Sequence, residues 1–304
     1  MLIYLLKSLR PRQWLKNLSL YAGVIFGGGL FNYGQLLIAT EAFLVFCGLS
    51  SALYLINDVN DAPKDRNHYF KKFRPIASGK LSYRQAIFSA LVILGASLWL
   101  ASRLNRFFFL AAIFFIILQI SYTFIWKNYI IIDALAVSGA FIIRFYDGAL
   151  DISSSLSSWL VLTTIGASLL LAFGKRRCER TLQESAGTGI TRESLRHYPQ
   201  SLLDSMISMS SALTIITYSL LTFQISPTQI SSSILNLLPP ILARPKWMML
   251  TIPMVIYIVG RYLYVIYEKK EGESPERVLL SDRPLLLTFL LWSAAVVVVL
   301  YGME

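Results

Sequence analysis

Cysteine is almost missing from this chain of 304 residues, with only Cys47 in an apolar run and Cys178 in a basic one. That excludes a disulfide framework, and the spacing excludes a cysteine metal centre. Histidine is as scarce: His68 and His197 stand far apart in the sequence, at no metal-ligand spacing, so they read as loop residues rather than catalysts. Charge is thin too, at 15% of residues against 55% hydrophobic, and the mean hydropathy is +0.58. Such a composition excludes a soluble domain and implies an all-α polytopic membrane protein. No soluble domain, no linker and no cleavable signal pattern is visible. Gly27-Gly28-Gly29 has no strand before it, which excludes a phosphate loop.

Long apolar runs are what the chain has instead. Nine spans are expected, at Leu15–Phe31, Leu36–Ile56, Gln85–Ala101, Phe107–Ile125, Ile130–Tyr146, Ser157–Gly174, Leu203–Phe223, Met248–Ile266 and Leu285–Tyr301. In a soluble protein the net charge of +11 would suggest nucleic acid, but here placement decides its meaning. Sorted to alternate sides, 22 of the 28 lysines and arginines share the side of the N-terminus. Arg103, Arg106, Arg244 and Lys246 take the other, and Arg144 and Arg261 fall inside spans. The positive-inside rule therefore sets the N-terminus in the cytoplasm, with the lipid bilayer as partner and no nucleic acid. Residues 1 to 14 suit a helix lying in the interface, and Gln224–Trp247 an outer loop without chemistry.

The chemistry gathers in two cytoplasmic segments, residues 57–84 and 175–202, expected as active-site loops of a single 1–304 domain. If the second span continues as helix, Asn57, Asp58, Asp61 and Asp65 share roughly 100° of arc. Pro63 would kink that helix and leave a turn to aim Asp65. Three carboxylates on one face repel unless a cation sits among them. A hard divalent ion such as Mg²⁺ fits, with Asp58, Asp61 and Asp65 as ligands, and commonly brings a diphosphate with it. Beside them Arg66, Lys71, Lys72 and Arg74 satisfy the topology rule. Arg74, just before Pro75, best suits a bidentate grip on phosphate. Lys175, Arg176 and Arg177 close the sixth span as either a stop-transfer patch or a phosphate site. Asp133 and Arg144, ionisable groups at or inside a span, point to function. Arg144 also suits a helix-face pair with Asp147 three residues on.

Asn57-Asp58-x-x-Asp61-x-x-x-Asp65 after the second apolar helix resembles the first aspartate motif of the UbiA superfamily of intramembrane prenyltransferases. Arg10-Pro11-Arg12-Gln13-Trp14-Leu15-Lys16-Asn17, Tyr54-Leu55-Ile56-Asn57-Asp58 and Lys72-Phe73-Arg74-Pro75-Ile76-Ala77-Ser78-Gly79 resemble, more narrowly, its polyprenyl-phosphate phosphoribosyltransferase branch. So do Gly174-Lys175-Arg176-Arg177, Arg196-His197-Tyr198 and Leu280-Ser281-Asp282-Arg283-Pro284. The resemblance implies nine transmembrane helices around a central cavity, an active site at the cytoplasmic face of the plasma membrane, and room for a homo-oligomer.

It also implies transfer of 5-phosphoribose from phosphoribosyl diphosphate to a polyprenyl (decaprenyl) phosphate, with Mg²⁺ as cofactor, as a step toward lipid-linked arabinose for cell-wall synthesis. Asn57 and the three aspartates would act on the Mg²⁺-bound diphosphate. Lys16, Asn17, Arg66, Lys71, Arg74 and Lys127 would bind substrate, together with Arg144, Tyr198 and Lys175–Arg177. Asp133 would orient one of these cations or a ribose hydroxyl. An aromatic prenyltransferase would carry a second aspartate-rich motif where Lys175-Arg176-Arg177 stands. A flippase would spread its charges through the spans, and a catalytically inert scaffold would not need acids at this spacing.

Overall fold

The computed structural model describes residues 2–66, 71–150, 157–185, 195, 197–225, 246–269 and 275–302. Among the described residues there is no strand. Met1–Ser154 with Gln183–Tyr198 form one compact unit, and Ser155–Leu182 with Pro199–Glu304 form another.

The first unit begins with α1 (Leu2–Ser8), a 3-10 run over Pro11–Leu20 and α2 (Tyr21–Phe26). Then follow α3 (Tyr33–Asp65), a 3-10 turn at Lys71–Phe73, α4 (Tyr83–Leu104), α5 (Arg106–Phe124), a 3-10 turn at Trp126–Asn128 and α6 (Ile132–Leu150). Polar side chains start the long helices. Asn32 accepts from the Gly34 and Gln35 amides before α3, and Ser82 with Gln85 forms a capping box on α4. Their packing relies on fit rather than on escape from water, because lipid is as apolar as the core. Where α3 meets α4 the buried residues include the small Ala52, Ala62, Ala86 and Ala90 beside Leu55. Further along α3 the fit is aromatic, with Phe46 set edgewise to Phe108 at 5.8 Å and to Phe115 at 5.1 Å.

In the second unit α7 (Ser158–Ser185), α8 (Gln200–Ile225) and a 3-10 turn at Trp247–Thr251 lead into α9 (Ile252–Tyr264). A π-turn, Val265–Lys269, extends α9 and is followed by α10 (Pro275–Ser281) and α11 (Arg283–Tyr301). One buried hydroxyl here, that of Tyr218, is satisfied by other elements: Trp292 Nε1 donates to Tyr218 Oη at 2.7 Å, and Tyr218 Oη lies 2.6 Å from Thr251 Oγ1.

Among the described residues, seven segments are long and apolar enough to cross a membrane: Tyr33–Asp65, Tyr83–Leu104, Arg106–Phe124, Ser158–Leu182, Gln200–Ile225, Trp247–Lys269 and Arg283–Tyr301. The other two expected spans take different forms. Leu15–Phe31 lies on the 3-10 run and α2, which ends at Gly27 before Gly28 takes a φ of 81°. Ile130–Tyr146 lies mostly on α6, which carries Asp133, Arg144 and Asp147 within 19 residues. Two polar segments expected as loops begin as helix, since α3 runs on to Asp65 and α7 to Ser185. Most of the expected outer loop Gln224–Trp247 lies outside the described residues.

Candidate active site

In the first unit the last turns of α3 carry the acidic face. The helix continues through Pro63, so helix rather than a turn aims Asp65. Proline there forfeits one bond, to the Val59 carbonyl, and beyond it the C-capping Arg66 amide still bonds the Ala62 carbonyl, 3.1 Å away. Asp58 and Asp65 are 3% and 6% exposed, and Asp61 is half-buried.

Each carboxylate is turned to a cation from another part of the chain. Arg10 Nη2 donates to Asp58 Oδ1 at 2.5 Å. Arg74 Nη1 spans Asp58 Oδ1 at 3.1 Å and Asp65 Oδ2 at 2.6 Å. Lys127 Nζ reaches Asp61 Oδ1 at 2.6 Å, and Asn57 Nδ2 donates to Asp61 Oδ2 at 3.0 Å. Arg10, absent from the expected site, holds a left-handed backbone at φ 54° and lays its guanidinium 5.1 Å from the centre of the Tyr54 ring. The structure therefore brings together Asn57, Asp58, Asp61, Asp65, Arg74 and Lys127 from the expected set and adds Arg10. The one sequence signal for Arg10 is its place at the head of an Arg-Pro-Arg stretch.

Other expected residues go elsewhere. Arg66 donates to Tyr83 Oη at 2.9 Å, toward the start of α4. Lys71 is half-buried on its 3-10 turn. Lys16 Nζ bonds Gln13 Oε1 at 2.5 Å. Asn17, 0% exposed, donates to Cys47 Sγ at 3.2 Å, while its Oδ1 has no hydrogen-bond partner among the described residues. Arg144 is buried; it donates to the Ala140 carbonyl at 2.9 Å and to Ser50 Oγ at 3.4 Å, and its guanidinium lies over Phe115. Its donors thus turn back along α6 and across to α3 instead of forward to Asp147. Tyr198 and Asp133 are both buried, and the Tyr198 hydroxyl donates to Asp133 Oδ1 at 2.6 Å. Arg196 lies outside the described residues.

In the second unit the basic cluster sits on α7. Arg176 is buried against Glu179 at 2.7 Å, and Lys175 Nζ lies 3.8 Å from the same carboxylate. Arg177 Nε donates to Asp204 Oδ1 at 2.7 Å and stacks 4.1 Å from the Tyr267 ring. Tyr267 Oη donates to the same Asp204 oxygen at 2.9 Å. Asp204 and Tyr267 are partners that sequence reasoning missed, because they lie 27 and 90 positions from Arg177.

The acidic face offers carboxylate and amide oxygens, the donor set that hard divalent cations take. Among the described residues no group of three His, Cys, Asp or Glu gathers around one point. The carboxylates are engaged by cations instead, so the fit rests on donor chemistry.

Residues 18–281 match the UbiA prenyltransferase family. The chain is 33% identical over 303 residues to the decaprenyl-phosphate phosphoribosyltransferase of Corynebacterium glutamicum, covering 98% of this chain and 87% of that protein. It is 34% identical over 307 residues to the protein of the same name from Mycolicibacterium smegmatis, covering 98% and 92%. In fold it is similar to a UbiA homolog from Archaeoglobus fulgidus solved with GPP and Mg²⁺, with a TM-score of 0.69, 22% identity, and 98% and 99% of the two chains covered. An acidic helix face ringed by cations, on a chain matched along most of its length, leads to one conclusion: the chain belongs to the UbiA prenyltransferase family.

Proposed function

We propose that the protein transfers 5-phosphoribose from phosphoribosyl diphosphate to a polyprenyl phosphate and releases diphosphate. The observation that carries this reading is the near full-length similarity, at about 33% identity, to enzymes named for that reaction. The site supports it with three acids on one face and arginines and lysines beside them. An aromatic prenyltransferase is the weaker reading, because α7 carries Lys175, Arg176 and Arg177 where a second aspartate motif would stand.

Asp58, Asp61 and Asp65, with Asn57, would hold Mg²⁺, which when bound neutralises charge growing on the leaving diphosphate. Arg10, Arg74 and Lys127, now on the carboxylates, would take up diphosphate oxygens. Lys16, Asn17, Lys71 and the α7 cluster are the further candidates for phosphate contacts. The ribose C1–oxygen bond breaks with its electron pair leaving on diphosphate, and an oxygen of the lipid phosphate forms the new bond to C1. That oxygen is already anionic, so no general base is needed. The bound face is cytoplasmic in this reading, and the chain crosses the plasma membrane nine times.

The test is an assay of purified, folded protein with Mg²⁺, labelled phosphoribosyl diphosphate and decaprenyl phosphate. Label is expected in the lipid phase. Its absence, or transfer of a prenyl chain to an aromatic acceptor, would overturn the reading. Asp58→Asn is expected to lower turnover by about 100- to 1,000-fold, since an amide cannot balance the metal's charge.

A further inference from the structure

Ile131, between the Trp126–Asn128 turn and α6, has a φ of 65°. A β-branched residue avoids that region, so something must hold it there. Its amide, ahead of α6 and outside the helical ladder, donates to Tyr198 Oη at 2.5 Å. The same hydroxyl donates to Asp133 Oδ1 at 2.6 Å. Tyr198 and Asp133 are both 0% exposed, so one hydroxyl ties the amide of the strained residue to Asp133 in a dry setting where hydrogen bonds weigh most.

The consequence lies four residues upstream. The body of α6 is fixed, with Ala140 and Ile143 in the core and Gly148 against the Leu20 backbone. The backbone angle at Ile131 therefore sets the direction in which the chain leaves α6 toward the turn carrying Lys127. Lys127 Nζ is the contact to Asp61 Oδ1 at 2.6 Å. We infer that Tyr198 is a positioning residue: by holding Ile131 in the left-handed conformation it keeps Lys127 on the acidic face, where it meets the donor's diphosphate. The consequence for the donor rests on the reaction proposed above; the backbone consequence does not.

Tyr198→Phe, Ile131→Gly and the double variant, made in the full chain, test this. Backbone hydrogen exchange over residues 126–133 reads the fastening without needing turnover. Tyr198→Phe is expected to speed exchange there and to raise the KM for phosphoribosyl diphosphate about tenfold, while kcat stays within about twofold. Glycine adopts positive φ without strain, so Ile131→Gly in the Tyr198→Phe background is expected to return the KM, and exchange at residues 126–130, toward wild type, while the residue 131 amide, its acceptor gone, stays fast. A fold that fails in Tyr198→Phe and recovers in the double variant supports the inference equally. Unchanged exchange in Tyr198→Phe, or a double variant as impaired as the single, overturns it. If the wild-type protein does not use phosphoribosyl diphosphate, the proposed reaction falls alone and the exchange result still decides.

Discussion

Asp58 shows what one buried carboxylate demands near the end of a long apolar helix. It is 3% exposed and draws two guanidiniums, from Arg10 and Arg74, positions 48 and 16 residues away. The acids were legible because spacings of three, four and seven are a property of the sequence. Arg10 was not, because its pairing depends on how the start of the chain folds back on α3. Arg10→Gln leaves Asp58 with one cation, and the thermal midpoint of the solubilised protein is expected to fall by the equivalent of about 1.5–3 kcal/mol. Arg66, equally basic and closer in sequence, bonds exposed Tyr83 Oη. Arg66→Ala is therefore expected to change stability by less than about 0.5 kcal/mol. Equal losses in the two variants would show that the Asp58 pairing is not what stabilises this end of α3.

Among the elements of the described residues, length and apolarity mark seven helices able to cross a membrane, because those are the properties lipid selects. The two remaining expected spans read less cleanly, since a 3-10 run and a helix with three ionisable groups are settled by their neighbours. The 3-10 run is pressed so closely on α6 that a Cβ at Gly148 would lie 1.9 Å from the Leu20 carbonyl oxygen. Gly148→Ala is expected to destabilise by about 1–3 kcal/mol and to lower turnover, because the displaced run carries Lys16 and Asn17 and leads from Arg10. Gly95 on α4 has open space around it, so Gly95→Ala is the control and is expected to be neutral or slightly stabilising.

A second element-scale device joins the far end of the chain. Asp282 caps α11 through the Leu285 amide at 3.1 Å and binds Arg261 at 3.0 Å and Lys269 at 2.8 Å. The Arg261 hydrogen bond, with smaller help from Lys269 and that amide, holds the Asp282 carboxyl well below the usual carboxylate range. Its folded value is thus lower than its unfolded one, and the folded state gives up this proton more readily. The stability it adds is complete above about pH 4 and is lost as pH falls below that. Asp282→Asn is expected to lower the thermal midpoint at neutral pH and to flatten its fall between about pH 4 and 2. A variant as acid-sensitive as wild type would assign the acid loss to other carboxylates.

At the scale of the whole molecule, the sequence carries one asymmetry that no single helix shows. Of 28 lysines and arginines, 22 fall on the side of the N-terminus when the chain is threaded through nine crossings. In that threading the acidic face of α3 and the basic turn of α7 would both fall on that side, so orientation would decide whether a soluble polyanion or an outer-face ligand reaches them. The count matters as much as the bias. Nine crossings put the two termini on opposite sides, whereas the seven long apolar helices would do so only if α2 and α6 both cross or neither does. A test must therefore probe the interior of the chain. Single cysteines at Lys72 and Lys175, in a background with Cys47 and Cys178 replaced, are expected to react with a membrane-impermeant thiol reagent only in inside-out vesicles. A cysteine at Arg103 is expected to react only in right-side-out ones. Labelling of Lys72 and Lys175 positions from opposite sides would mean an odd number of crossings separates them, and α6 would then not span the membrane. Labelling of both from the outside would reverse the orientation and remove the cytoplasmic donor from the proposed reaction.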